Sequence, residues 1–129
     1  MTDVQKLAET VLGRAERFSV KAELKRAGEI LDDGEEVELL AVGSYEGAGN
    51  SLILVTDRRV IALNETGGIF GKKLAVHDVP YSRITSVSSQ VGRVHGAVTL
   101  ASSGGDMEIE RILPPGRAAE LAGVVRRRL

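Results

Sequence analysis

The chain has 129 residues, 43% of them hydrophobic and 27% charged, with a formal net charge of −1 and no cysteine. That length supports one ordinary hydrophobic core, and the near-neutral balance disfavours a general nucleic-acid binder, which needs a basic field. Without cysteine there is no disulfide framework, no thiol nucleophile and no thiolate metal site.

Residues Met1 to Lys6 hold no basic segment followed by an apolar run, so no signal peptide is expected. No apolar stretch approaches the roughly 18–20 residues of a membrane span. A cytoplasmic location is the expectation. Phe18, Tyr45, Phe70 and Tyr81 are the aromatic residues, too few for a base-stacking surface, so no nucleic-acid partner is expected.

Residues 1 to about 31 read as helical. Thr2 is placed to cap, with Gln5 three positions on. Val4, Leu7, Ala8, Val11 and Ala15 then recur at helical spacing. Phe18-Ser19 breaks the run, and Ser19 is placed to cap a second helix with Val20, Leu24, Ala27 and Leu31 on one face. Lys6, Glu9, Glu16, Lys21 and Lys25 read as a solvated mixed-charge face. Asp32-Asp33-Gly34-Glu35 ends this part, so residues 1–33 are expected to form a helical extension and 34–129 the main domain.

From Glu36 the period becomes that of β-structure. Val37–Ser44 is a first strand and Tyr45–Asn50 a glycine-containing loop. Ser51 to Asn64 is a hairpin turning at Thr56–Arg59, where Asp57 is expected to bond its own backbone. Gly67-Gly68 closes it. Phe70–Asp78 is a fourth strand, interrupted by Pro80; Arg83–Ser89 is a fifth and Val94–Ala101 a sixth. After the Ser102–Gly105 turn comes a seventh, Asp106–Ile112, with Met107 and Ile109 inward and Glu108 and Glu110 outward. Pro114-Pro115 opens a last helix with Ala118, Leu121, Ala122, Val125 and Leu129 on its stripe and Arg117, Glu120 and Arg127 off it. Seven short antiparallel strands and one amphipathic helix predict a small open barrel or orthogonal sandwich plugged by that helix. The class is mainly β, α+β overall.

The 51–64 hairpin is apolar on both side-chain parities: Leu52 and Leu54 on one, Ile53 and Val55 on the other, and Val60/Ala62 and Ile61/Leu63 likewise. A strand with one wet face alternates, so this hairpin needs cover on both sides. The N-terminal helices offer an apolar stripe of matching size, and they are expected to lie across its outer face.

The order Gly34-Glu35-Glu36-Val37-Glu38, the strand pair Leu52-Ile53-Leu54-Val55-Thr56-Asp57-Arg58-Arg59-Val60-Ile61 and the strand Tyr81-Ser82-Arg83-Ile84-Thr85-Ser86-Val87 resemble the bacterial pleckstrin-homology-like domains, in particular their YokE-like branch. The resemblance covers roughly residues 34–129. It implies a PH-like two-sheet, seven-stranded barrel capped by a C-terminal helix, and a binding or assembly role. Eukaryotic PH domains that bind phosphoinositides use Lys and Arg in the loop between the first two strands. Here Ser44–Ser51 has neither and contains Glu46, which disfavours inositol-phosphate binding there.

The candidate partner or anion contacts are Arg58 and Arg59 at the hairpin tip, Lys72 and Lys73 in the fourth strand, and Arg126, Arg127 and Arg128 at the C-terminal helix end. Each has a commoner structural role: a solubilised turn, a protected sheet edge, a complement to the helix dipole. No catalytic, metal or cofactor site is expected. His77 and Asp78 are strand neighbours that face opposite ways, His95 has no partner in the pattern, and Asp106, Glu108 and Glu110 read as an outward acidic face. The favoured function is a non-catalytic module for a protein partner or a second copy. The alternative is a peripheral adaptor making weak contact with an anionic membrane, and a small-ligand protein or enzyme ranks below both.

Overall fold

A computed structural model describes residues 3–47, 49–66 and 73–129. The helical region is three short helices, α1 (Val4–Val11), α2 (Arg14–Ser19) and α3 (Lys21–Ile30). Thr2 and the cap expected there lie outside the described residues. Asp3 caps α1, its Oδ1 accepting from the Lys6 N–H at 3.1 Å. The expected first helix divides at Gly13, which stands in extended geometry with its N–H donating to the Glu16 carboxylate. Glycine carries the largest helix penalty after proline, and here it outweighs the apolar period. The division brings Leu12 into the core and leaves Ala15 exposed. Ser19 does not cap α3; its hydroxyl donates back to the Glu16 carbonyl at 2.7 Å.

Seven strands follow: β1 (Val37–Tyr45), β2 (Ser51–Thr56), β3 (Arg59–Thr66), β4 (Lys73–Pro80), β5 (Ile84–Val91), β6 (Gly96–Ser102) and β7 (Met107–Leu113). Their order in one antiparallel sheet is β4-β3-β2-β1-β7-β6-β5. Gly67-Gly68 and the expected start of the fourth strand, through Lys72, lie outside the described residues. Pro80 ends β4, an edge strand, where a missing N–H costs no ladder bond. Val94 precedes β6 and is exposed. The last helix is α4 (Gly116–Arg126), with Ala118, Leu121, Ala122 and Val125 buried. Leu129 lies beyond its end and is exposed.

An apolar layer lies on each face of the β2–β3 hairpin. One parity of the hairpin (Ile53, Val55, Val60 and Ala62) packs with Val98, Leu100, Ile109 and Ile112 from β6 and β7 and with the stripe of α4. The other parity (Leu52, Leu54, Ile61 and Leu63) packs with Leu40 and Val42 from β1 and with Val4, Ala8, Leu12, Val20, Leu24 and Ala27 of the helical segment. Every residue of β2 is buried, which is why its sequence does not alternate. At about 1.5–3 kcal/mol per side chain, covering Leu52, Leu54, Ile61 and Leu63 contributes roughly 6–12 kcal/mol. Two close approaches require glycine. A Cβ on Gly43 would stand 2.8 Å from the Ile109 side chain where β1 crosses β7, and one on Gly96 would stand 2.6 Å from the Ala118 Cβ where α4 meets β6.

Candidate functional site

The β2–β3 connection is Asp57-Arg58. Thr56, not Asp57, closes it: its Oγ1 accepts from the Arg58 and Arg59 N–H groups, both at 3.0 Å. Asp57 instead turns outward from its own loop and accepts the Glu36 N–H at 2.9 Å, 21 residues back. The turn is therefore stitched to the segment that enters β1.

Beneath it lies a fully buried carboxylate. Glu35 accepts two bonds from Arg59, Nη2 to Oε1 at 2.9 Å and Nε to Oε2 at 3.0 Å, the bidentate geometry that a guanidinium favours. The Thr56 hydroxyl donates to Oε2 at 2.7 Å and the Asp32 N–H to Oε1 at 2.9 Å. Burial alone would push the Glu35 carboxyl up, but the bonds from Arg59, Thr56 and the Asp32 backbone outweigh it and bring it down to about 2. Hydrogen bonding to Glu35, working against burial and helped by Asp78, pushes the Arg59 guanidinium up. Arg59 also donates to the Ile30 carbonyl at 2.9 Å and to Asp78 in β4 at 3.2 Å. One side chain thus joins the end of α3, the linker, the turn and the sheet edge. The Tyr81 hydroxyl donates to the Thr56 carbonyl, and burial, with the charges of Asp57 and Glu35, pushes it up to about 12.

The candidate cations fall into separate places. Arg59 is committed to this clasp. Arg58 is half exposed, donates to the Asp33 carbonyl at 3.1 Å and lies 4.0 Å from Asp32. Lys73 opens β4 opposite Thr66, while Arg59 pairs with Pro80 at the other end of the same two strands. Seven residue steps at about 3.3 Å separate these ends by about 23 Å, so Arg58 and Lys73 form no common patch. Lys72 lies outside the described residues. At the C-terminal end Arg128 pairs with Glu38, Arg126 donates to the Val87 carbonyl of β5 at 3.3 Å, and Arg127 is exposed.

The two sheet edges differ in chemistry. β4 carries Lys73, His77, Asp78 and Pro80, the residues that discourage strand addition. β5, Ile-Thr-Ser-Val-Ser-Ser-Gln-Val, holds no charge and no proline over eight residues and is paired on one side with β6. α4 packs along β5, and at its end the Arg126 guanidinium donates to the Val87 carbonyl.

His77 and Asp78 do face opposite ways: Asp78 reaches Arg59, whereas the His77 ring stacks on Tyr45 with centroids 4.6 Å apart. Tyr45, His77, Arg83 and Asp106 line a groove of about 460 Å³ between β4 and the β6–β7 turn. Burial, then the neighbouring Glu46 carboxylate, pushes the Tyr45 hydroxyl up. Among the described residues no three His, Asp or Glu side chains gather as metal ligands, and no helix is long and apolar enough to cross a membrane.

A family model described as Bacterial PH domain matches residues 31–127. The chain belongs to the bacterial PH domain family. A pleckstrin-homology protein of the DUF1696 family from Shewanella loihica PV-4 superposes with a TM-score of 0.58 at 20% identity, over 84% of this chain and 91% of that one. A pleckstrin homology domain from Shewanella amazonensis SB2B gives 0.55 at 22% identity, over 84% and 98%. The C-terminal domain of an unknown protein from Leishmania infantum gives 0.52 at 13% identity, over 87% and 95%. At these identities the likeness concerns the fold. No curated protein matches the chain. Membership in the family makes this a PH-like binding module in general terms.

Sequence reasoning placed interest on the Arg pair and passed over Glu35 and Thr56. Glu35 stands in a run of acidic residues that reads as solvated, and its partners lie 21 and 24 positions away. Only the pairing of β1 with β2 brings them together.

Proposed function

We propose that this PH-like domain is a non-catalytic protein-interaction module that takes an extended segment of a partner, or of a second copy, as an added strand on β5. The observation that carries this reading is the eight-residue uncharged edge of β5, where the Arg126 guanidinium meets the Val87 carbonyl. Main-chain bonds supply affinity in strand addition, and alternate side chains supply specificity. The polar residues Ser86, Ser88 and Gln90 suit a partner strand that stays soluble when unbound.

The chain fits the YokE-like branch by its 52–61 strand pair and its Tyr81–Val87 strand, and residues 1–33 act as a helical cover for the 34–129 domain in a cytoplasmic protein. A lipid adaptor built from Arg58, Arg59, Lys72, Lys73 and Arg126–Arg128 has less support, because Arg59 and Arg128 are engaged internally and Lys73 is remote. The test is a peptide selected from a displayed library of extended sequences. Val87→Pro, which removes an edge N–H and leaves the β5 side chains otherwise intact, should abolish its binding with the circular dichroism unchanged. Unaltered binding to that variant would contradict the reading.

A further inference from the structure

Phe18 is 79% exposed, the most exposed of the large apolar side chains among the described residues, and it stands at the corner where α2 runs into α3. The sequence reading treats it as the break between helices. In the structure it is the crest of a ridge between two shallow hollows. One is lined by Arg14, Arg17, Lys21 and Lys25 with Glu9 as its carboxylate, the other by Lys21, Lys25 and Arg26 with Glu23 and Glu65. Residues 14–26 hold five cations against two carboxylates, a net of +3, in a chain whose total is −1, so the remainder carries −4.

Both carboxylates of the segment are engaged by backbone N–H groups. Glu23 is buried and accepts the Glu65 N–H at 2.8 Å, and Glu16 accepts the Gly13 N–H at 3.2 Å. Arg14, Lys21 and Lys25 are exposed. The result is an aromatic tip among more cations than carboxylates, on the helical segment that covers the Leu52, Leu54, Ile61 and Leu63 parity of the hairpin.

We propose that this corner docks the domain onto an anionic phospholipid surface, with Phe18 entering the headgroup–acyl boundary and Arg14, Lys21 and Lys25 over the phosphates. Charge complementarity selects an acidic partner surface. Shape then favours a lipid over a protein: a lone convex aromatic needs a matching pocket in a folded partner but none in a fluid interface, where aromatic rings and snorkelling lysine stems are at home. The site is separate from β5 and from the candidate contacts Arg58, Arg59, Lys72, Lys73 and Arg126–Arg128, and it does not depend on the strand-addition reading.

The test is co-sedimentation of the full chain with vesicles of phosphatidylcholine, alone or with about 30 mol% phosphatidylglycerol, at low salt and at about 0.5 M salt. The chain is expected to pellet on the anionic vesicles at low salt, and not on phosphatidylcholine or at high salt. Phe18→Ser and the pair Lys21→Glu/Lys25→Glu should each weaken this by about tenfold or more. Phe18→Trp should keep it, and because the chain has no tryptophan, its emission should move to the blue on anionic vesicles. All three substituted positions are exposed, so folding should be unaffected, which a melting curve checks. Absence of pelleting at low salt, or pelleting with the Phe18→Trp emission unmoved, overturns the proposal. So does binding to polyglutamate without binding to vesicles, which would assign the corner to an acidic protein. A change of oligomeric state in Phe18→Ser without vesicle binding would assign it to a second copy.

Discussion

Replacing Glu35 by glutamine is the sharpest probe of how the helical segment is held to the sheet. The carboxylate is fully buried and accepts four hydrogen bonds, two of them from one guanidinium. Glutamine keeps the shape but offers one acceptor atom, and its amide turns two donors toward donors. Its folded-state value of about 2, against an ordinary 4.5, corresponds to about 3 kcal/mol at 1.36 kcal/mol per pH unit. That agrees with the roughly 3–5 kcal/mol lost when one partner of a buried ion pair is removed.

A chain of this length unfolds with an entropy near 0.27 kcal/mol/K, so the variant should melt about 11 °C lower at pH 7. The sign with pH follows from the lowered carboxyl. Its stabilisation is fully present above the unfolded value near 4.5 and is lost as pH falls toward 2. The gap between native chain and variant should therefore shrink to about half by about pH 3. Urea titrations of both proteins at the two pH values measure it. A difference below about 0.5 kcal/mol at pH 7, or one that stays constant on acidification, would refute the reasoning.

Removing residues 1–33 uncovers Leu40, Leu52, Leu54, Ile61 and Leu63, and light scattering should then show self-association; a monomer as stable as the full chain would sink that expectation. Gly96→Ala forces a Cβ to 2.6 Å from both the Ala118 Cβ and the Pro115 carbonyl, so α4 must shift, at about 1–3 kcal/mol in chemical denaturation. Tyr81→Phe removes the bond to the Thr56 carbonyl and should cost about 1 kcal/mol in the same assay. Ultraviolet titration of the native chain should find the Tyr81 hydroxyl ionising near 12. Because the folded value lies above the ordinary 10.0, its contribution to stability is intact below pH 10.0 and declines as pH rises toward 12.

The strands, the C-terminal helix and the doubly apolar hairpin were legible because each is written in a local period. The double apolarity of Leu52–Val55 and Val60–Leu63 implied cover on both faces, and each face does have its own layer. What escaped the sequence depends on contacts between distant segments, or on one residue overriding a period. Gly13 broke a helix whose apolar spacing ran on through it. Thr56 closes the turn expected of Asp57, because Asp57 accepts the Glu36 N–H instead. Arg117, off the apolar stripe of α4, is nonetheless largely covered and donates to the Val11 carbonyl at 2.8 Å, bridging α4 to α1 across more than a hundred residues of chain. Phe18 reads in the sequence as the break between two helices, and nothing in the local pattern tells that its ring stands exposed there.

Binding on β5 is tested most directly by amide hydrogen exchange, residue by residue, with and without a bound peptide. Strand addition predicts that alternate amides of Ile84–Val91 exchange rapidly in the free domain and become protected in the complex, while β4 is unchanged. Protection confined to β4 or to the β1–β2 loop, with the β5 amides as fast as before, would contradict it.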